Sequence, residues 1–170
     1  HAMYRALLVA STPPVGAVHL ALYEGTLVTD EMETNIIEGG LPDVRAGYPA
    51  DGDVEEIARG LSDAQRPVLY IGDGVWKSGA EAKLKAFAER YGIPVTGGGN
   101  QWMRSVPVNH KLYCQDTGAL DPDCVLAMGV RHMGGYDQFS NVNTLVAVGP
   151  DVDNLKNFEG LDLAVLADEG

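Results

Sequence analysis

Basic side chains are scarce in this chain: 12 Lys and Arg stand against 24 Asp and Glu, leaving a formal net charge of −12. A chain that acidic lacks the positive field that nucleic acid or an anionic membrane requires, so neither is expected as a partner. Cysteine is almost absent as well. Cys114 and Cys124 are the only two, with no CxxC pair and no histidine at metal-ligand spacing. This argues against a disulfide framework and a zinc module, and predicts reduced thiols in a cytoplasmic protein. No run approaches the roughly 18 apolar residues of a membrane span, and the opening His1 to Arg5 has no signal-peptide pattern. That opening reads as an added start followed by the middle of something larger. GxSxG and HExxH are missing too. The four histidines, His1, His19, His110 and His132, fall in unrelated segments, His19 within an apolar run where a core role is expected. No catalytic set assembles from these residues.

What is present is enough for one packed domain, or one domain with an appended arm: 170 residues, 45% of them hydrophobic. Ala2 to Ala10 has helical spacing and is stopped by Pro13 and Pro14. Ala17 to Leu22 reads as a buried strand. From Tyr23 to Asp53 the chain is rich in Gly, Pro and acid with little periodicity, and reads as a linker. Val54, Ile57, Ala58 and Leu61 then share one helical face, and Val68 to Ile71 forms a short apolar strand. Leu84, Phe87, Ala88 and Tyr91 make a second helical stripe, ended by Gly92 before a strand near Val95. Further apolar strands are expected at Asp123 to Met128, Thr144 to Val148 and Leu163 to Leu166. Continuous rather than alternating apolar runs indicate strands covered on both faces, hence an α/β fold with a parallel sheet flanked by helices.

Glycine marks the candidate sites. Gly72, Asp73 and Gly74 directly follow the first of these sheet strands, and with Gly79 they lie one spacing away from the dinucleotide fingerprint. Their backbone could face a pyrophosphate; alternatively, the glycines only permit a tight turn while Ser78 caps the following helix. Gly97, Gly98 and Asn100 follow the next strand, where parallel sheets form a crevice, and either contact a ligand or close a loop over an empty cleft. Gly129 and Arg131 end the strand after that. An arginine there suits a phosphate or pairs with one of the many carboxylates.

Read in order, these segments resemble the central domain of thiamine-diphosphate-dependent enzymes, the superfamily of acetolactate synthase, benzoylformate decarboxylase and oxalyl-CoA decarboxylase. Gly16 to Leu22 is similar to the "GPVhLalP" strand that ends the family's pyrimidine-binding domain, with Ala17 where proline is usual. Leu61 to Val75 resembles "L..A.RPVll.G.Gv", Ala88 to Val95 resembles "lAe..giPV", and Asp123 to Arg131 resembles "aDlvl.lG.R". Gly72, Asp73 and Gly74 followed by Asn100 also imitate the family's metal and diphosphate motif. Gln101 stands where its second asparagine belongs, however, and the flanking segments fit the central domain.

The resemblance implies a Rossmann-like parallel six-stranded sheet, a DHS-like NAD/FAD-binding fold, carrying an N-terminal helix-strand arm. Residues 1–25 would be the tail of a preceding pyrimidine-binding domain, 26–53 a linker and 54–170 the central domain. Its role would be mainly architectural, joining pyrimidine- and diphosphate-binding domains of a lyase or transferase that holds thiamine diphosphate and Mg²⁺ and acts on 2-oxo acids. The chain alone would bind neither and would be inactive, with the orphan arm pairing into a homodimer or packing on the sheet domain. Some members bind FAD or ADP in this domain, which makes a nucleotide module at Gly72, Asp73, Gly74, Gly97, Gly98, Asn100, Gly129, Arg131 and Asp151 the alternative. Gly149 stands where the family commonly has an acid, leaving Asp151 as the nearest ribose acceptor.

Overall fold

The computed structural model describes residues 2–25, 33, 35, 39–97, 105–131 and 141–170. It divides into two compact units, His1–Arg45 and Ala46–Gly170. In the smaller unit, helix α1 (Ala2–Ser11) ends where the backbone N–H and hydroxyl of Thr12 both donate to the Leu8 carbonyl, at 3.0 and 2.7 Å, just before the two prolines. The strand expected at Ala17 to Leu22 does not form, and His19 is exposed rather than in a core. An apolar run becomes a strand only when a neighbour completes its hydrogen-bond ladder, and none among the described residues does so here.

The larger unit is built on a parallel sheet of five strands: β1 (Pro67–Ile71), β2 (Val95–Thr96), β3 (Cys124–Met128), β4 (Thr144–Gly149) and β5 (Leu163–Leu166). They lie in the order β2-β1-β3-β4-β5. The sheet has no sixth strand among the described residues; on the outer side of β2 there is one isolated parallel bridge between Val95 and Tyr113. Two hydrogen bonds hold it, Val95 N–H to the Leu112 carbonyl at 2.8 Å and Cys114 N–H to the Val95 carbonyl at 2.9 Å. The flanking Gln115 and Asp116 offer no apolar face to extend the pairing. The five-strand order 2-1-3-4-5 is a doubly wound arrangement with its switch point between β1 and β3, and the six-stranded order that the resemblance implies is not reached.

Alternate residues of each strand enter different apolar layers, which is why the runs are continuous. Leu69, Ile71, Leu126, Val146 and Val148 join Val75, Leu84 and Ala88 on one side. Tyr70, Val125, Ala127 and Ala147 meet Leu155 on the other. The helices are α2 (Asp51–Asp63), α3 (Asp73–Lys77), α4 (Glu81–Tyr91) and α5 (Val152–Leu155). On α2 the inward side is Ile57, Gly60 and Leu61, whereas Val54 and Ala58 are exposed. Gly60 permits that approach, since a Cβ there would lie 3.4 Å from Thr144 Cγ2 and 3.9 Å from Cys124 Sγ. On α4 only Leu84 and Ala88 are buried. Phe87 and Tyr91 instead pair with each other outside the core, ring centroids 4.9 Å apart. Gly92 ends α4 in the left-handed conformation at φ 69°, as its place in the sequence suggests.

Asp123 ties the sheet's lower end together: its carboxylate accepts the backbone N–H groups of Gln65 and Arg66, each at 2.9 Å. The Arg66 and Gln65 N–H groups accordingly hold its pKa below the ordinary aspartate value. Beside it, Cys124 is a buried free thiol whose pKa is pushed up to about 11, by burial first and then by Asp123 and Asp162. Cys114, half-buried and also free, is the more accessible. A thiol-disulfide reagent at neutral pH should therefore modify one cysteine per native chain, Cys114, and reach Cys124 only after denaturation. Mass mapping that finds Cys124 labelled first would contradict this burial. No helix among the described residues is long and apolar enough to cross a membrane.

Candidate functional site

Paired register places the carboxyl ends of β1 and β3 side by side, Ile71 opposite Met128, so the glycine turns that follow each strand must share one space. They do so backbone to backbone. Gly72 N–H donates to the Met128 carbonyl at 2.9 Å and Gly74 N–H to the Gly129 carbonyl at 3.0 Å. A Cβ on Gly72 would lie 2.8 Å from both the Gly129 carbonyl carbon and Val130 Cα, closer still to the Gly129 oxygen. Gly129 itself sits at φ 61°, and a Cβ there would be 2.5 Å from Gly74 Cα. The glycine pattern that reads as a phosphate cradle thus has a local structural cause: two turns cross too closely for any side chain.

Helix α3 begins at once after Gly72, an element the sequence reading missed because five residues carry too little periodicity to register. Ser78 consequently closes α3 instead of opening α4: its N–H donates to the Gly74 carbonyl and its hydroxyl to the Val75 carbonyl. Asp73 faces cations of the chain's own. Its Oδ2 lies 2.8 Å from Lys77 Nζ and 3.2 Å from Arg131 Nη2. Partial burial works to raise its pKa, but the Lys77 hydrogen bond and charge, with Arg131, hold it below the usual aspartate value.

The remaining member of the cluster had no sequence signal. Glu169, beyond β5, carries Oε1 to the turn; a Cβ on Gly74 would overlap it, and one on Gly149 would lie 3.9 Å away. That oxygen is buried and has no hydrogen-bond partner among the described residues. Burial chiefly, with Asp168 and Asp73 adding to it, pushes the Glu169 pKa up to about 7.

Of the predicted site residues, Gly72, Asp73, Gly74, Gly129 and Arg131 meet at this crossing. Asp151 is the N-cap of α5, its Oδ1 accepting the Asp153 N–H at 2.8 Å. Gly97 follows β2, and Gly98 and Asn100 lie outside the described residues. Among the described residues the donors at this crossing do not fit a diphosphate-bound divalent ion. Asp73 is neutralised by Lys77 and Arg131, and no group of three His, Cys, Asp or Glu among the described residues could hold a metal.

Comparison with known proteins agrees with this architecture. Residues 54–170 match the family described as thiamine pyrophosphate enzyme, central domain. The chain is similar to the acetolactate synthase large subunit of Corynebacterium glutamicum, 27% identical over 129 residues, covering 68% of this chain and 20% of that one. It is also similar to a probable chloroplastic acetolactate synthase of Oryza sativa subsp. japonica, 32% identical over 134 residues, covering 71% and 20%. A putative thiamin diphosphate-dependent enzyme from Mycobacterium smegmatis shares the fold at TM-score 0.70 and 22% identity, over 98% of this chain and 34% of that one. The chain belongs to the family of thiamine pyrophosphate enzyme central domains. It spans about a fifth of the length of these acetolactate synthases.

Proposed function

We propose that this chain is the non-catalytic, architectural central domain of a cytoplasmic thiamine-diphosphate-dependent lyase or transferase that decarboxylates or ligates 2-oxo acids. In that reading its partners are the pyrimidine- and diphosphate-binding domains of the parent, which supply the site for thiamine diphosphate and Mg²⁺. Residues 1–25 are then the tail of the first of these domains, 26–53 a linker and 54–170 the scaffold. The exposed Met3, Leu7 and Val9 of α1 support a covered position for the arm, against a neighbouring domain or a second copy.

The observation that carries the reading is the crossing of Gly72 and Gly74 with Gly129. The turn that a nucleotide or flavin module would present to a phosphate is instead packed against the chain's own backbone, with a carboxyl group over Gly74. That arrangement favours a scaffold over an ADP or FAD site. Titration calorimetry of the chain with thiamine diphosphate and Mg²⁺ tests it. No saturable heat is expected, and tight stoichiometric binding would overturn the assignment.

A further inference from the structure

Nothing in a scaffold role calls for a carboxyl oxygen buried without a partner, yet Oε1 of the half-buried Glu169 has none among the described residues. The segment that carries it crosses the ends of the strands and is held at several points. Ala167 N–H donates to the Gly149 carbonyl at 3.1 Å, and Asp168 N–H to the Gly47 carbonyl at 2.9 Å. Lys83 Nζ, from α4, donates to the Gly170 carbonyl at 2.8 Å. Ala167 is fully buried. Of the two acids on this strap, Asp168 has a partner, its Oδ1 accepting the Gly170 N–H at 2.8 Å, while Glu169 Oε1 has none among the described residues. The groups facing it are Asp73 and Lys77 from α3 and Asp168 from the strap itself. Lys77 and Arg131 are both paired with Asp73, and the Lys77 charge offsets only part of what burial, Asp168 and Asp73 impose on Glu169.

We propose that Glu169 is a proton-operated latch: uncharged, it seats over Gly74 and Gly149 and holds Ala167–Gly170 across the ends of β1 and β4, and ionised, it releases that strap. The chemistry is a single proton exchanged with water, with no bond between heavy atoms made or broken. An ionised carboxylate in this seat would lie beside Asp73 and Asp168 with no hydrogen bond to Oε1 among the described residues, and burial together with these two acids outweighs the opposing pull of its own backbone N–H and Lys77. The direction follows from linkage. The folded pKa of about 7 lies above the ordinary glutamate value of 4.5. The closed strap is therefore favoured fully below the lower value, and that contribution is lost as pH rises through the upper one. Release would uncover the β1–α3 turn, a conformational property separate from the architectural role and independent of it.

The test is nuclear magnetic resonance on the 170-residue chain with carboxyl-labelled glutamate, read together with amide exchange protection at Ala167 and Asp168. The Glu169 carboxyl should titrate near the raised value. Between about pH 5.5 and about pH 8.5, strap protection should fall by a factor on the order of ten or more. In Glu169→Gln, which keeps the shape and removes the proton equilibrium, protection should be level across that range. Titration of the carboxyl as an ordinary exposed glutamate would overturn the latch. So would a Gln variant whose strap loses protection with pH just as the parent does. The carboxyl titration is read on the parent chain, so it decides the matter even if the variant folds poorly.

Discussion

Gly129→Ala is expected to remove about 3–5 kcal/mol of stability, a range that few single substitutions reach. Three costs combine. The residue sits at φ 61°, where an L side chain is strained by roughly 1–2 kcal/mol. Its new Cβ would press on Gly74 Cα at 2.5 Å and on Val75 N at 2.6 Å. These are backbone atoms, which cannot swing aside as a side chain can, and forced overpacking costs about 1–3 kcal/mol. Relief would require parting the two turns, which breaks the bond from Gly74 N–H to the Gly129 carbonyl and weakens that from Gly72 to Met128. Each is worth about 1 kcal/mol. Gly79→Ala is the control. It has a similar φ of 72° but nothing within 4 Å of the added Cβ, so only the conformational strain applies. Urea unfolding should show the Gly129 variant losing at least twice what the Gly79 variant loses, with an unchanged slope. Equal losses would mean that the turn crossing does not hold the strand ends together.

That crossing also marks where the sequence was legible and where it was not. The strands could be read because a segment buried on both faces must be apolar at nearly every position, and Val68 to Ile71 and Cys124 to Met128 are. Gly92 could be read because a helix stop is local chemistry. The contact between Gly74 and Gly129 is a meeting of distant segments: each glycine is visible alone, while the reason for both appears only when β1 and β3 pair. Hence the phosphate and tight-turn readings stood side by side on sequence. Glu169 shows the same limit more severely, since one acid among 24 Asp and Glu carries no local mark of being buried. Ala17 to Leu22 erred in the opposite direction. Its composition suits a strand, but composition cannot supply the neighbour that pairs with it. For Phe87 and Tyr91, helical spacing named the wrong edge of the stripe, because two aromatics four residues apart can cover each other instead of the core.

Leu69→Ala should cost about 3 kcal/mol, within the 2–5 kcal/mol span of buried leucine truncations, and lower the melting temperature by about 6–12 °C. Leu69 has no exposed surface and lies in the pairing register between Val95 of β2 and Leu126 of β3. Its neighbours are thus fixed on both sides by backbone ladders. The apolar layer above it, including Ile71, Leu84 and Val146, is anchored to other elements, so the space left by the lost side chain cannot close. Tyr91→Ala provides the contrast, since that ring is 60% exposed and its removal forfeits the pairing with Phe87 and the Arg90 guanidinium over its face, together about 1–2 kcal/mol. Calorimetry on both variants checks the ranking, and a Leu69 loss no larger than the Tyr91 loss would refute it. The consequence for the proposed role is direct. β1 carries the Gly72 turn at its end, so loosening it at Leu69 should also raise exchange at the Gly72 and Gly74 amides. Exposed Tyr91 should leave those amides as protected as before, because the stability of the turn comes through the sheet and not through the outer face of α4.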